Sequence, residues 1–153
     1  MGLKVYLAAP ISGLSGAEVT AYFEEWDAYL KKLGYQVVHP MLGKDYLRTA
    51  PELKAHSYAS PVATNHAILG RDSFSVGWCD IFFVNFLRAP EKVSIGSVAE
   101  LAMAWWQHKH TIAVLTEQNI HYHSFVIEMS NIIFPTEGEA VTYFADLAVV
   151  NAY

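Results

Sequence analysis

The sequence predicts an α/β fold, a doubly wound parallel sheet flanked by helices in a single domain. Three observations predict it. Apolar, β-branched runs alternate with stretches in which apolar residues recur at helical spacing, the order that builds parallel sheets. The runs are apolar throughout, as strands covered on both faces are. With 153 residues the chain is long enough for one substantial core, and no repeat, low-complexity tract or domain boundary divides it.

The elements follow in order. Lys4 to Ile11, KVYLAAPI, reads as a central first strand ended by Pro10 and the SGLSG turn. Ser15 and Glu18 suit a capping box. Val19, Tyr22 or Phe23, Trp26, Leu30 and Leu33 then mark a helix, with Gly34 as its stop. Tyr35 to His39 is a short second strand closed by Pro40, which completes a right-handed βαβ unit. Met41 to Pro61 has no clean period; such a loop is a functional lid or disordered, with room for a short helix. The lid is expected because it leaves a strand's carboxyl end. Val62 to Val76 reads as a helix with Ile68 and Leu69 inward, ended by Gly77. Cys79 to Phe86 and Thr111 to Leu115 are the third and fourth strands. Phe125 to Phe134 fits helix or strand, and Glu137 to Val149 fits a final helix. A Rossmann-like or flavodoxin-like sheet accommodates this order.

Composition excludes several classes. A net charge of −5 without a basic run argues against nucleic-acid polymers, though not against a single nucleotide. No apolar run is long enough to span a bilayer, so a hydrophobic share of 53% points to a subunit interface instead. One cysteine, Cys79, excludes an intrachain disulfide framework. The N-terminus runs into a strand without an apolar signal core, which predicts a cytoplasmic protein. His121 and His123 have no carboxylate or thiol at ligand spacing, so no metal is expected. His108 and His110 suit a helix C-terminus. Of the adjacent Trp105 and Trp106, one is expected in the core and the other at an interface.

The chemistry concentrates in Glu91 to Trp106, EKVSIGSVAELAMAWW. It follows the third strand, at the carboxyl edge where open α/β sheets place ligands. Ser97 with Glu100 suits a capping box. Glu100 is equally a candidate nucleophile, flanked by small residues that let a substrate approach; the two readings are compatible. The first turn, PISGLSG, lacks both the GxGxxG spacing and a P-loop GK[ST]. Its Ser12, Gly13, Ser15 and Gly16 can still offer hydroxyls and N–H groups to a sugar or a phosphate, or form an ordinary turn and cap. Asp80 starts its strand and is structural, whereas Asn85 ends it and is better placed.

KVYLAAPISG, RDSF, CDIFFVNF and SIGSVAELAMAWW together resemble the nucleoside 2-deoxyribosyltransferase family, over roughly residues 4–115. The resemblance implies that Glu100 attacks the anomeric carbon of a 2′-deoxyribonucleoside. It implies that Tyr6 orients Glu100, that Asp72 handles the nucleobase and that Asn85 lies near the sugar. It further implies a homo-oligomer whose sites borrow residues from a neighbour's C-terminal region, here His123, Ser124 or Met129. Nucleosides or nucleotides and nucleobases are the implied partners, with no cofactor. One position departs. Family members acting on free nucleosides carry an acid six residues before the nucleophile, and here that residue is Ser94. A serine resembles the related deoxynucleoside 5′-monophosphate N-glycosidases, whose hydroxyls and N–H groups hold a phosphate. Ser12, Gly13, Ser94, Gly96 and Ser97 would supply such groups, although the first loop itself has no arginine. Transfer and hydrolysis use the same nucleophile. A nucleotide-binding sensor without turnover is the remaining alternative, against which Tyr6 and Glu100 speak.

Overall fold

A computed structural model describes residues 2–54, 60–88 and 91–152 of the chain. Five parallel strands, β1 (Lys4–Ala8), β2 (Gln36–Val38), β3 (Ile81–Asn85), β4 (His110–Val114) and β5 (Ile132–Phe134), lie in the order β2-β1-β3-β4-β5. This is the flavodoxin-like order, whose switch point lies between β1 and β3. Val5 pairs with Ile81 and Ala8 with Val84 across that point.

Side chains alternate between two packed layers, so the strands read as unbroken apolar runs. Val5, Leu7 and Phe83 face α1 (Gly16–Lys32) and α5 (Glu137–Leu147), where Trp26 and Phe144 fill the centre. Tyr6, Ala8, Phe82 and Val84 face α2 (Asn65–Trp78) and α3 (Ile95–Trp106), with α4 (Ser124–Glu128) contributing Val126. Each fully buried Phe or Leu contributes about 1.5–3 kcal/mol, which makes both layers self-sufficient. The Trp26 indole also donates to the Glu137 carboxylate, tying α1 to α5.

The capping box of α1 forms as expected, with Glu18 N donating to Ser15 Oγ and Ser15 N to Glu18 Oε2. Gly34 takes φ +91° just past the helix, the left-handed stop that glycine supplies. The ambiguous stretch after residue 124 is both helix and strand, α4 then β5.

Some expectations fail. The second helix starts at Asn65, capped by the Thr64 hydroxyl, and runs through Gly77. Docking through buried Val76 outweighs the roughly 1 kcal/mol that an interior glycine costs. Leu69 is exposed rather than inward, as are Phe74, Trp105 and Trp106. Neither tryptophan is in the core, because Leu101 and Ala104 take the inner face of α3. His110 lies in β4 and its ring meets the Tyr143 hydroxyl at 2.7 Å, so it plays no part at a helix end. Cys79 caps α2 from a buried position, where burial pushes the thiol up to about 11.

The expected lid is, in its described part, a strap. Met41, Lys44, Leu47 and Leu53 are buried. The strap bonds to the first loop through Gly13 N to Leu53 O (2.9 Å), Leu53 N to Leu14 O (2.7 Å) and Gly16 N to Ala50 O (2.8 Å). A Cβ on Gly16 would sit 1.8 Å from Leu47 O, so this close approach requires glycine. Residues 55–59 of the expected lid lie outside the described residues.

Candidate active site

Glu100 does not cap its helix. The N-cap is Ser94, extended at φ −86° and ψ 94°, whose Oγ accepts from Ser97 N at 3.4 Å and donates to Ser97 Oγ at 2.9 Å. Ser97 is therefore the third helical residue rather than the cap, and Glu100 falls in the second turn. Ser94 wins because two hydroxyls three residues apart can satisfy each other there.

Glu100 is instead held from the sheet. The Tyr6 hydroxyl, reaching out of β1, donates to Glu100 Oε1 at 2.9 Å. Tyr6 is buried and stacked on Phe82, with ring centroids 5.7 Å apart. Burial, then the charges of Glu100 and Asp72, raise its hydroxyl well above the ordinary value, so it remains a donor. The Glu100 carboxyl is pushed up to about 8, first by burial and then by Asp72. The Tyr6 hydrogen bond, Lys44 and Arg71 oppose that rise. Asp72 projects from α2, mostly buried, and Arg71 Nη2 donates to its Oδ1 at 2.9 Å. Tyr6, Glu100 and Asp72, from three separate elements, thus share one electrostatic cluster on the α2–α3 face of the sheet.

Other expected residues are placed differently. Asn85, one residue past Val84, falls by strand alternation on the opposite layer, where it is buried and accepts from Leu87 N at 3.0 Å. The backbone N–H of Gly13 is already committed to the strap, as is that of Gly16, and the Ser15 hydroxyl is committed to Glu18. Ser12 is exposed in that loop. Gly96 is exposed, with open space where a Cβ would be. His123 caps α4 by accepting from Phe125 N, and Ser124 beside it is exposed. Met129 lines an apolar groove with Met103, Trp105 and Trp106. Among the described residues no hydrogen bond links His123, Ser124 or Met129 to Glu100. Asp80 is structural: its Oδ2 accepts from Lys4 N at 2.9 Å. Among the described residues no group of three His, Cys, Asp or Glu side chains could hold a metal ion.

Three residues escaped the sequence. His121 is buried, stacked on Phe86 at 4.5 Å. Its Nε2 accepts from Ser94 N at 2.7 Å, while Nδ1–H donates to Asn119 Oδ1 at 2.9 Å. It anchors the start of α3, a contact within the chain that its pattern with His123 does not mark. Arg88, just past β3, lies 4.4 Å from the Tyr22 ring centroid and lines a small crevice with Pro10, Ile11 and Leu14 of the first loop. It brings to that loop the cation its own sequence lacks. Lys44 is buried in the strap, and no spacing in the sequence marks it.

No family model matches the chain, and no curated protein matches it. Solved structures share its fold. A 2-deoxyribosyltransferase from Bacillus psychrosaccharolyticus is 18% identical at a TM-score of 0.64, the match covering 92% of this chain and 91% of that one. A CMP N-glycosidase of Clostridium botulinum is 20% identical at 0.57, covering 94% and 98%. A conserved protein from Enterococcus faecalis is 16% identical at 0.67, covering 95% and 99%.

Proposed function

We propose that this protein cleaves the N-glycosidic bond of 2′-deoxynucleosides, with Glu100 as nucleophile, and passes the sugar to another nucleobase. The observation that carries this reading is the 2.9 Å hydrogen bond from Tyr6 to Glu100. It fixes one carboxylate oxygen and leaves the other to react. The fold shared with a protein named as a 2-deoxyribosyltransferase and another named as a CMP N-glycosidase supports the same bond type.

The chemistry follows from that bond. The free Glu100 oxygen forms an ester with the anomeric carbon as the carbon–nitrogen bond breaks, and the bonding electrons leave with the base. The departing base takes up a proton, with Asp72, held by Arg71, positioned to manage it. Attack on the ester by a second base restores the carboxylate and gives transfer; attack by water gives hydrolysis.

A second reading, hydrolysis of a nucleoside 5′-monophosphate, is favoured by two observations. The first turn of α3 has no acid, and Arg88 stands against the first loop. Both suit an anion better than a bare 5′-hydroxyl. We also propose a homo-oligomer. Ile95, Trp106, Phe74 and Phe125 are each more than 70% exposed, a density of apolar surface that a partner copy would cover. The C-terminal segment with His123, Ser124 and Met129 would then complete a neighbour's site.

The test is chromatography of the protein with deoxynucleosides and with their 5′-monophosphates, each with and without an acceptor base. A new nucleoside that appears only with acceptor establishes transfer, and sugar release without acceptor establishes hydrolysis. No free base from any substrate would sink the proposal.

A further inference from the structure

The start of α3 is held from a loop far along the chain. Ser94 N donates to His121 Nε2 at 2.7 Å. His121 Nδ1 meets Asn119 Oδ1 at 2.9 Å, and Asn119 Nδ2 donates to Phe86 O at 3.2 Å. Each link orients the next. The Asn119 amide nitrogen faces Phe86 O, so its oxygen faces the ring. That puts the imidazole proton on Nδ1 and leaves Nε2 as the acceptor. His121 N donates to the same Asn119 oxygen at 2.9 Å, and the ring stacks on Phe86 with centroids 4.5 Å apart. The bonds thus run unbroken from the end of β3 to the N-cap of α3.

One protonation state alone supports this arrangement. A proton on Nε2 would set two donors against each other at 2.7 Å, and the Ser94 N–H would lose its acceptor. Burial lowers the His121 pKa and so keeps the ring neutral, with no charged neighbour contributing. Phe86 and Ser94, which face the ring from other elements, carry no charge. Arg88, Glu91, Lys92, Glu117, Tyr122 and His123, the titratable residues flanking these contacts in sequence, are all exposed. Ser97, the buried side chain of the first turn of α3, bonds Ser94 rather than another element. Glu100 follows six residues after Ser94, about 9 Å along the helix.

We propose that neutral His121 is a positioning residue of this site: through Ser94 it fixes where α3 begins, and so where Glu100 meets Tyr6. The inference rests on Glu100 being the reacting carboxylate. A misplacement of about 1 Å that originates far from the chemistry can cost on the order of 10²-fold in rate.

Two variants separate the hydrogen bond from the ring. His121→Phe keeps the stacking on Phe86 and removes the acceptor, whereas His121→Gln keeps an acceptor that does not titrate. In 15N-labelled wild type, a 15N–15N coupling between Ser94 and His121 reports the bond, and its loss on acidification gives the ring's midpoint. Above that midpoint kcat should fall about 10–100-fold in His121→Phe, with KM nearly unchanged, and stay near wild type in His121→Gln. Below it, the kcat ratio of His121→Gln to wild type should rise about tenfold per pH unit. Titration of Glu100 is common to both proteins and cancels in that ratio. The Glu100 carboxyl carbon, labelled with 13C and identified by Glu100→Gln, should shift in His121→Phe and hold in His121→Gln. Absence of the coupling in wild type overturns the proposal, as does wild-type kcat in folded His121→Phe. If His121→Phe does not fold, a kcat ratio that stays flat through the midpoint overturns it. A shifted Glu100 resonance in a protein that turns over no nucleoside or nucleotide would leave His121 as the anchor of Glu100 and refute the proposed function instead.

Discussion

Two serine- and glycine-rich loops leave the carboxyl edge of this sheet, and they do different things. The loop after β1, ISGLSG, spends its polar groups on the protein itself: Gly13 and Gly16 bond the strap, and Ser15 and Glu18 bond each other. The start of α3, SIGSVAE, has the same look in sequence. Its serines also bond each other, yet Gly96 stays open and Glu100 is aimed by a tyrosine from the sheet. A similar local composition gives a closed joint in one place and a candidate site in the other. What separates them is the third element that arrives: the strap consumes the first loop's donors, while Tyr6 leaves one carboxylate oxygen free.

The largest expected effect breaks this contrast at Glu100. Glu100→Ala should lower turnover on the order of 10⁴-fold or more, as loss of a nucleophile does, in a protein that still folds. Ser15→Ala, the matching change in the first loop, should cost only about 1 kcal/mol of stability, with kcat nearly unchanged. Steady-state rates and urea unfolding measure both. A folded Glu100→Ala variant at wild-type rate would leave the two loops functionally alike.

Next is Ser94→Asp. Aspartate is as good an N-cap as serine, so the helix should persist. A 5′-phosphate about 4 Å away would feel a repulsion on the order of 4 kcal/mol at an effective dielectric near 20. Monophosphate turnover should collapse, while a free nucleoside is tolerated or improved. The ratio of kcat/KM for nucleoside and monophosphate, in wild type and variant, reads this out. An unchanged ratio removes the 5′ group from Ser94.

The glycines sharpen the comparison. At Gly16 an added Cβ meets the strap's Leu47 carbonyl at 1.8 Å, so Gly16→Ala should destabilise by at least about 1–3 kcal/mol through overpacking. At Gly96 nothing among the described residues lies within 4 Å of an added Cβ, so alanine should stabilise by about 0.4–1 kcal/mol. Equilibrium unfolding of both variants decides whether one loop is closed and the other open.

A pH dependence tests the reacting carboxyl itself. Glu100 is raised from 4.5 to about 8 in the folded chain, so between those values the folded state holds a proton that the unfolded state has released. Its contribution is full below about 4.5 and is lost as pH rises through about 8. Glu100→Gln should flatten that decline in melting temperature across the window. Catalysis runs the other way, since attack needs the carboxylate, and kcat/KM should climb toward pH 8. A wild-type melting temperature that holds level from pH 5 to 8 would contradict the raised carboxyl.

Much of this was legible from local rules. Unbroken apolar runs marked buried parallel strands, the Ser15–Glu18 spacing marked the start of α1, and Gly34 marked its end, because each depends on neighbours within one turn. Glu100 could be singled out for the same reason: it follows a strand end and a run of small residues. Its partners could not be ranked. Tyr6 and Asp72 entered through a family resemblance, and their distances to Glu100 depend on how β1, α2 and α3 pack. Ser94 displaced Ser97 as the cap because the backbone is extended at Ser94 and already helical from Ile95, so the helix begins three residues earlier.

The sequence by itself determined the layer order, the parallel sheet and the edge at which chemistry belongs, since hydrophobic period and strand length report burial on both faces. Only the tertiary structure decided which polar groups remain available there. Gly13 lost its donor to Leu53, Asn85 turned to the opposite layer, His121 reached 27 positions back to Ser94, and Lys44 was buried by a strap without any period. A hydrogen bond or a buried charge is satisfied by whatever the fold brings within a few ångströms, and separation along the chain says little about that distance.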